Sequence, residues 1–203
     1  MKKILALIAV SAALFGCTGD VDEPTFNVVS QEGAIEIRSY EPTAIAYTVV
    51  SGERDEAINN GFRKLFKYID GANVAQLSIP MTAPVAQSAQ SKKIPMTAPV
   101  AQQSAGDNEW KVVFYMPNGT TFSELPKPTD EAVKLEEIPA HKKAVITYSG
   151  SMDNENIDEN EASLRAYLKA QNISYSEPAA YAGYNPPWTP WFMRRNEVMV
   201  KLK

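Results

Sequence analysis

The run TAIAYTVVSGERDEAINNGFRKLFKYI, from Thr43 to Ile69, sets the architecture. Its first eight residues are β-branched, aromatic or small, the composition of a strand, and Ser51-Gly52 ends them. From Glu53 the period changes. Ile58, Phe62, Leu65, Phe66 and Ile69 stand at offsets 0, 4, 7, 8 and 11, one apolar stripe on a helix. Asp70-Gly71 stops that helix, because glycine accepts the left-handed cap. Just upstream, Ala34 to Tyr40 alternates apolar and polar residues as a half-buried strand does, and Pro42 punctuates it.

Downstream the same order returns. Trp110 to Met116 reads as a strand closed by Pro117-Asn118-Gly119, and Phe122 to Asp130 as a proline-rich extended connection. Val133 to Ile138 and Lys143 to Ser149 alternate as two more strands. Asp153 to Gln171 is a second helix with Ile157, Leu164, Tyr167 and Leu168 inward, and Glu197 to Leu202 is a last strand. The chain is thus expected to be α+β, with two strand-helix-strand halves repeated in structure though not in sequence. One sequence repeat does occur: residues 79–87, IPMTAPVAQ, recur at 94–102. Two prolines per copy confine it to a sheet edge, a strand end or a bulge. The two copies are expected to pair as a hairpin across Ser88 to Lys93, with Gln103 to Glu109 mobile.

Composition narrows the chemistry. The chain has 203 residues, 44% hydrophobic and 22% charged, enough for one domain with a sizeable core. Twenty basic against 24 acidic residues leave a formal charge of −4, so the basic footprint of a nucleic-acid binder is absent. One Cys and one His exclude an internal disulfide, a thiolate metal cluster and a His-rich zinc site. No glycine-rich phosphate loop or metal-spaced carboxylate cluster is present, and the acids at Asp153, Glu155, Asp158, Glu159 and Glu161 open a helix, where they favour the macrodipole. No enzyme activity is expected.

The N-terminus reads as a targeting segment of residues 1–16. Met1-Lys2-Lys3 is basic and Ile4 to Phe15 is apolar apart from Ser11. Twelve residues at ~1.5 Å each fall short of a ~30 Å hydrocarbon core, which suits a secretory signal rather than a membrane span. Gly16-Cys17 follows and resembles the lipobox of bacterial lipoproteins, in which that cysteine is lipidated; an ordinary signal peptide is the alternative. Residues 17–30 would then be the lipidated Cys17 and a polar tether, and residues 31–203 the domain. Thr18 resembles an outer-membrane sorting signal, so the expected location is the bacterial cell envelope, anchored by lipid in the outer membrane and facing the periplasm.

Four segments carry a family resemblance. Met81-Thr82-Ala83-Pro84-Val85 (with its copy at 96–100), Ala182-Gly183-Tyr184-Asn185-Pro186-Pro187, Arg194-Arg195-Asn196-Glu197-Val198 and Glu36-Ile37-Arg38-Ser39-Tyr40-Glu41 resemble, in order, motifs of the SOUL heme-binding family. The resemblance spans about residues 33–203. It implies a distorted antiparallel β-barrel flanked by two α-helices and the binding of heme or a related tetrapyrrole. Relatives that bind without an axial His place an Arg, and later a Met-Lys pair, on the first helix. Those positions here are Asn59, Phe66 and Lys67, with Phe62 between them; Phe62 and Phe66 can equally be core.

Other candidates are weighed against packing. His141, between Pro139-Ala140 and Lys142-Lys143, reads as a solvated turn residue and a weak axial ligand. Tyr47, Tyr115, Met81 and Met96 are further axial donors, each also suited to packing. Arg194 and Arg195 could clamp a carboxylate, but an internal ion pair with Glu197 is expected. Trp188 and Trp191, set among Pro186, Pro187 and Pro190, are expected to cover a barrel end, with roofing of a ligand cleft the alternative. The function expected is a lipid-anchored tetrapyrrole-binding protein. The alternatives are a binder of another amphipathic small molecule and a tetrapyrrole-modifying enzyme.

Overall fold

Lys143 Nζ lies 3.4 Å from the Tyr115 hydroxyl, although three strands of the same sheet separate these residues. In a flat sheet the two strands would lie roughly 19 Å apart, so the sheet must curl. The computed structural model describes residues 21–75 and 90–203. Cys17, the signal segment and the first repeat copy with Met81 lie outside the described residues.

The strands are β1 (Phe26–Glu32), β2 (Ile35–Tyr40), β3 (Thr43–Ser51), β4 (Asn73–Val74), β5 (Val100–Gly106), β6 (Glu109–Tyr115), β7 (Lys127–Pro128), β8 (Lys134–Ile138), β9 (His141–Tyr148), β10 (Tyr175–Gly183) and β11 (Asn196–Leu202). The helices are α1 (Arg54–Ile69) and α2 (Asn154–Ala170). All of these lie at or beyond residue 26, so the described fold is complete without the first sixteen residues. Nine strands form one antiparallel sheet in the order β1-β2-β9-β11-β10-β5-β6-β3-β8, while β4 pairs with β7. Exchanging β2 with β8, β3 with β9, β5 with β10 and β6 with β11 reverses the order from β2 to β8. The repeated strand-helix-strand halves therefore exist, related across the β5–β10 seam. Among the described residues no ladder joins β1 to β8, so the distorted barrel expected from the resemblance is an open cup.

The two faces of the sheet do different work. Inside the cup, Ile45, Val113, Tyr115, Ala101, Val145 and Met199 form one cluster drawn from five strands. Outside it, α1 covers β3 and β6, with Leu65, Tyr68, Val112 and Phe114 between them. In the other half α2 packs Leu164 and Leu168 on Ala144, Val198 and Val200. Asp153 caps α2 by accepting a 2.9 Å bond from Asn156 N. The inner face read for α2 is the one observed.

Five strands escaped the sequence reading: β1, β5 and β10 of the large sheet and the two-residue β4 and β7. Gln103 to Gly106 is part of β5 rather than mobile. Val100–Gln103 pairs with β6 on one side and β10 on the other, so these residues do not form a hairpin with the first repeat copy. Pro99 sits just before β5, as proline requires. The stripe read for α1 is also displaced: the buried residues are Ala57, Gly61, Leu65, Tyr68 and Ile69. Closest approach runs along Ala57 and Gly61, whose missing bulk admits β6, and this turns Phe66 outward.

One end of the cup is filled by charge. Glu197 is wholly buried and accepts bonds from Arg38 Nη1 (3.0 Å), Arg195 Nη2 (3.2 Å) and the Tyr184 hydroxyl (2.6 Å). Arg195 also holds Glu23 through two bonds of 3.1 and 3.0 Å. The internal ion pair expected for Arg195 is present, whereas Arg194 donates to the carbonyls of Thr189 and Pro187.

A Cβ on Gly61 would lie 2.5 Å from Val112 Cγ2 and 2.8 Å from its Cβ. Gly61→Ala should therefore destabilise the domain by about 1–3 kcal/mol, despite alanine's helix advantage of roughly 0.5–1 kcal/mol. Urea unfolding checks this; an unchanged or higher midpoint would contradict the packing.

Candidate functional site

The outward turn of α1 creates the first candidate surface. Phe62 meets Phe114 edge-on at 5.3 Å, which ties it to the core, and stacks on Phe66 at 6.0 Å with 12° between the rings. Phe66 is 44% exposed. The pair thus carries the apolar core out to the surface as a flat ledge.

Arg63 and Lys67, both exposed and one helical turn apart, lie together on the side of α1 beyond Phe66. Neither pairs with a carboxylate among the described residues. Asn59 is exposed one turn before Arg63, with its side-chain amide on Asp55 O at 2.8 Å. The structure therefore brings Phe62 and Phe66 to one flank, while Lys67, the next residue, lies about 100° further round the helix beside Arg63. Arg63 supplies the cation that Asn59 lacks; the sequence reading missed it although i+4 spacing from Asn59 signals it. Met96, 42% exposed, follows a segment fastened to the end of α1 by Ile94 N to Ile69 O at 2.8 Å. It stands two extended residues, about 7 Å of chain, from that tie. A flat apolar ledge with two free cations at its rim fits a tetrapyrrole: the rings would take the macrocycle face, and Arg63 and Lys67 the propionates. No side chain on this flank of α1 is a His, Cys, Met or Tyr, so the helix itself offers the iron no ligand.

The second surface is the mouth of the cup, a cavity of about 270 Å³ lined by Ile45, Val113, Tyr115, His141, Lys143 and Lys201, among others. His141 lies here, not in a solvated turn. It opens β9, stacks on Tyr40 at 5.4 Å and 10°, and donates from Nδ1 to Pro139 O at 2.9 Å. Burial, with Lys143 and Lys201 nearby, pulls its pKa below the ordinary value. The cavity is smaller than the ~300–1,000 Å³ of common small-molecule sites, so it does not admit a macrocycle to His141. Tyr115 is buried in the wall and Tyr47 lies under the Lys111 ammonium at 3.9 Å; both are packing residues.

The cup, its two helices and the α1 ledge define a class: an α+β domain of two repeated halves that presents an apolar surface with basic edges. The sequence profile of the SOUL heme-binding protein family matches residues 21–201, and the chain belongs to that family. It is 30% identical over 175 residues to human heme-binding protein 2, covering 85% of this chain and 80% of the relative. It is 28% identical over 189 residues to mouse heme-binding protein 1, covering 90% and 93%. Among solved structures, a hydrolase from Listeria innocua superposes with a TM-score of 0.54 at 10% identity, covering 86% of this chain and 94% of that one. The EcmrR C-terminal domain gives 0.53 at 9%, covering 83% and 96%. These two likenesses concern the fold alone.

His141 gives a pH prediction. Its folded pKa is lowered, so the stability it contributes is complete above about pH 6.5 and is lost as pH falls through the folded value. The melting temperature should decline between pH 7 and 5, and His141→Gln should flatten that decline. Parallel profiles for the two proteins would contradict this.

Proposed function

We propose that this chain binds heme or a related tetrapyrrole on the outer flank of α1 and acts as a carrier rather than an enzyme. The observation that supports this reading is Phe66: a large aromatic, nearly half exposed, on a helix that otherwise buries its bulk, stacked on Phe62 and bordered by Arg63 and Lys67. Membership of the family and the names of its heme-binding relatives support the ligand class. Binding of another amphipathic anion to the same ledge is the second reading, favoured by the absence of an iron ligand on that flank.

The Soret band on hemin titration tests it. Because Phe66 is exposed, Phe66→Ser should cost about 1 kcal/mol of stability or less, yet weaken hemin binding at least tenfold. Lys67→Glu should weaken it about three- to tenfold with an unchanged melt. Unaltered titrations for both variants would remove the ledge from the site.

We further propose that Cys17 carries acyl chains that hold the domain at the bacterial envelope, on the outer membrane and facing the periplasm. The basic start, the apolar run Ile4 to Phe15 and the small residue before Cys17 support this. Acyl chains contribute ~0.8 kcal/mol per buried CH₂, enough for a durable anchor when more than one is present. Cys17→Ser should abolish incorporation of labelled palmitate; continued labelling would refute the assignment.

A further inference from the structure

Trp188, Trp191, Phe192 and Met193 are 83%, 64%, 61% and 65% exposed, the most exposed large apolar side chains among the described residues. They do not cover the end of the cup, as the sequence reading expects; the segment from Glu23 to Phe26 and the Glu197 network fill that place. Nor does the loop owe its exposure to a lack of internal structure. It joins β10 to β11 and is pinned at its base by Tyr184 N to Arg195 O at 3.2 Å and Arg195 N to Asn185 Oδ1 at 2.6 Å. Arg194 gathers it inward, donating from Nε to Thr189 O and from Nη2 to Pro187 O, both at 2.8 Å. Two backbone turn bonds, Thr189 N to Pro186 O at 3.0 Å and Met193 N to Pro190 O at 2.9 Å, complete it. Trp191 and Phe192 meet edge-on at 5.8 Å. The loop ties much of its backbone internally and presents its large apolar side chains.

The N-terminal segment is fastened at the base of the same loop. Glu23 is held by Arg195, two residues after Met193, and Asp22 by Asn118 N and Nδ2 at 2.7 and 2.8 Å. Cys17 precedes Glu23 by six residues in the sequence, a length of chain of no more than about 20 Å. A membrane that held acyl chains on Cys17 would lie against that end of the domain. Amphipathic indoles on a rigid loop suit the bilayer interface, where ring and N–H meet apolar and hydrated layers together. We infer that Trp188, Trp191, Phe192 and Met193 form a lipid-docking surface that seats the domain on a phospholipid bilayer. Its orientation rests on the lipid-anchor reading, while its lipid affinity stands apart from it.

The test uses the chain from residue 17 onward with Cys17→Ser, which holds the whole described fold and no acyl chain, mixed with phosphatidylcholine vesicles. With Trp110→Phe, the emission reports only Trp188 and Trp191. It should shift to the blue and be quenched by brominated phosphatidylcholine, with saturable partitioning. The variant with Trp188→Ser and Trp191→Ser should partition at least tenfold more weakly and melt unchanged. Emission unmoved by vesicles overturns the inference, whatever palmitate labelling of the native chain shows. Loss of hemin binding in the Trp188→Ser, Trp191→Ser variant, with vesicle partitioning unaltered, also overturns it and makes the loop a wall of the ligand site.

Discussion

A carboxylate with no exposed surface governs this molecule. Glu197 accepts from Arg38 on β2, Arg195 just before β11 and Tyr184 just after β10. Burial and the adjacent carboxylate hold the Tyr184 phenol protonated, its pKa well above the usual value. A buried charge stripped of one partner costs about 3–5 kcal/mol, so these donors must stay together. Their positions tie β2, across β9, to the ends of β10 and β11. With the inner face committed to this network and a small core, the outer face is left for the helices. Glu23, bound to the same Arg195, brings the N-terminal segment to the same end.

Much of the fold was legible because its signals were periodic. The β2, β3, β6 and β9 patterns and the α2 stripe of Ile157, Leu164 and Leu168 all follow from side chains that alternate or recur. The central strands β5 and β10 do not announce themselves. They carry Gln, Ser, Glu and Pro, and are held by backbone ladders on both sides rather than by apolar content. The α1 stripe was misplaced for a related reason. Hydrophobic counting favours Ile58 and Phe66 over Ala57 and Gly61, but helix-to-sheet distance is set by the smallest residues, and Gly61 lies directly over Val112. His141 was misread because its partner Tyr40 is distant in sequence.

The candidate site was legible in part. Phe62 and Phe66 do share a flank, with Lys67 further round the helix, yet the exposure of Phe66 depends on the rotation that Gly61 permits, which no stripe reveals. The family pattern marks the position of Asn59 for the cation and leaves Arg63, one turn on, unmarked. The cup, which topology makes the obvious cavity, is largely filled by its own core and leaves about 270 Å³ at its mouth. A flat tetrapyrrole therefore has more suitable contact on the open ledge than in the cup.

The direct test of that placement is a map of backbone amide chemical shifts as metal-free protoporphyrin is added to the domain. The account predicts that the largest changes fall between Asn59 and Asp70 and around Met96, with Val113, His141 and Met199 unmoved. Changes centred on the mouth of the cup, with α1 unmoved, would contradict it.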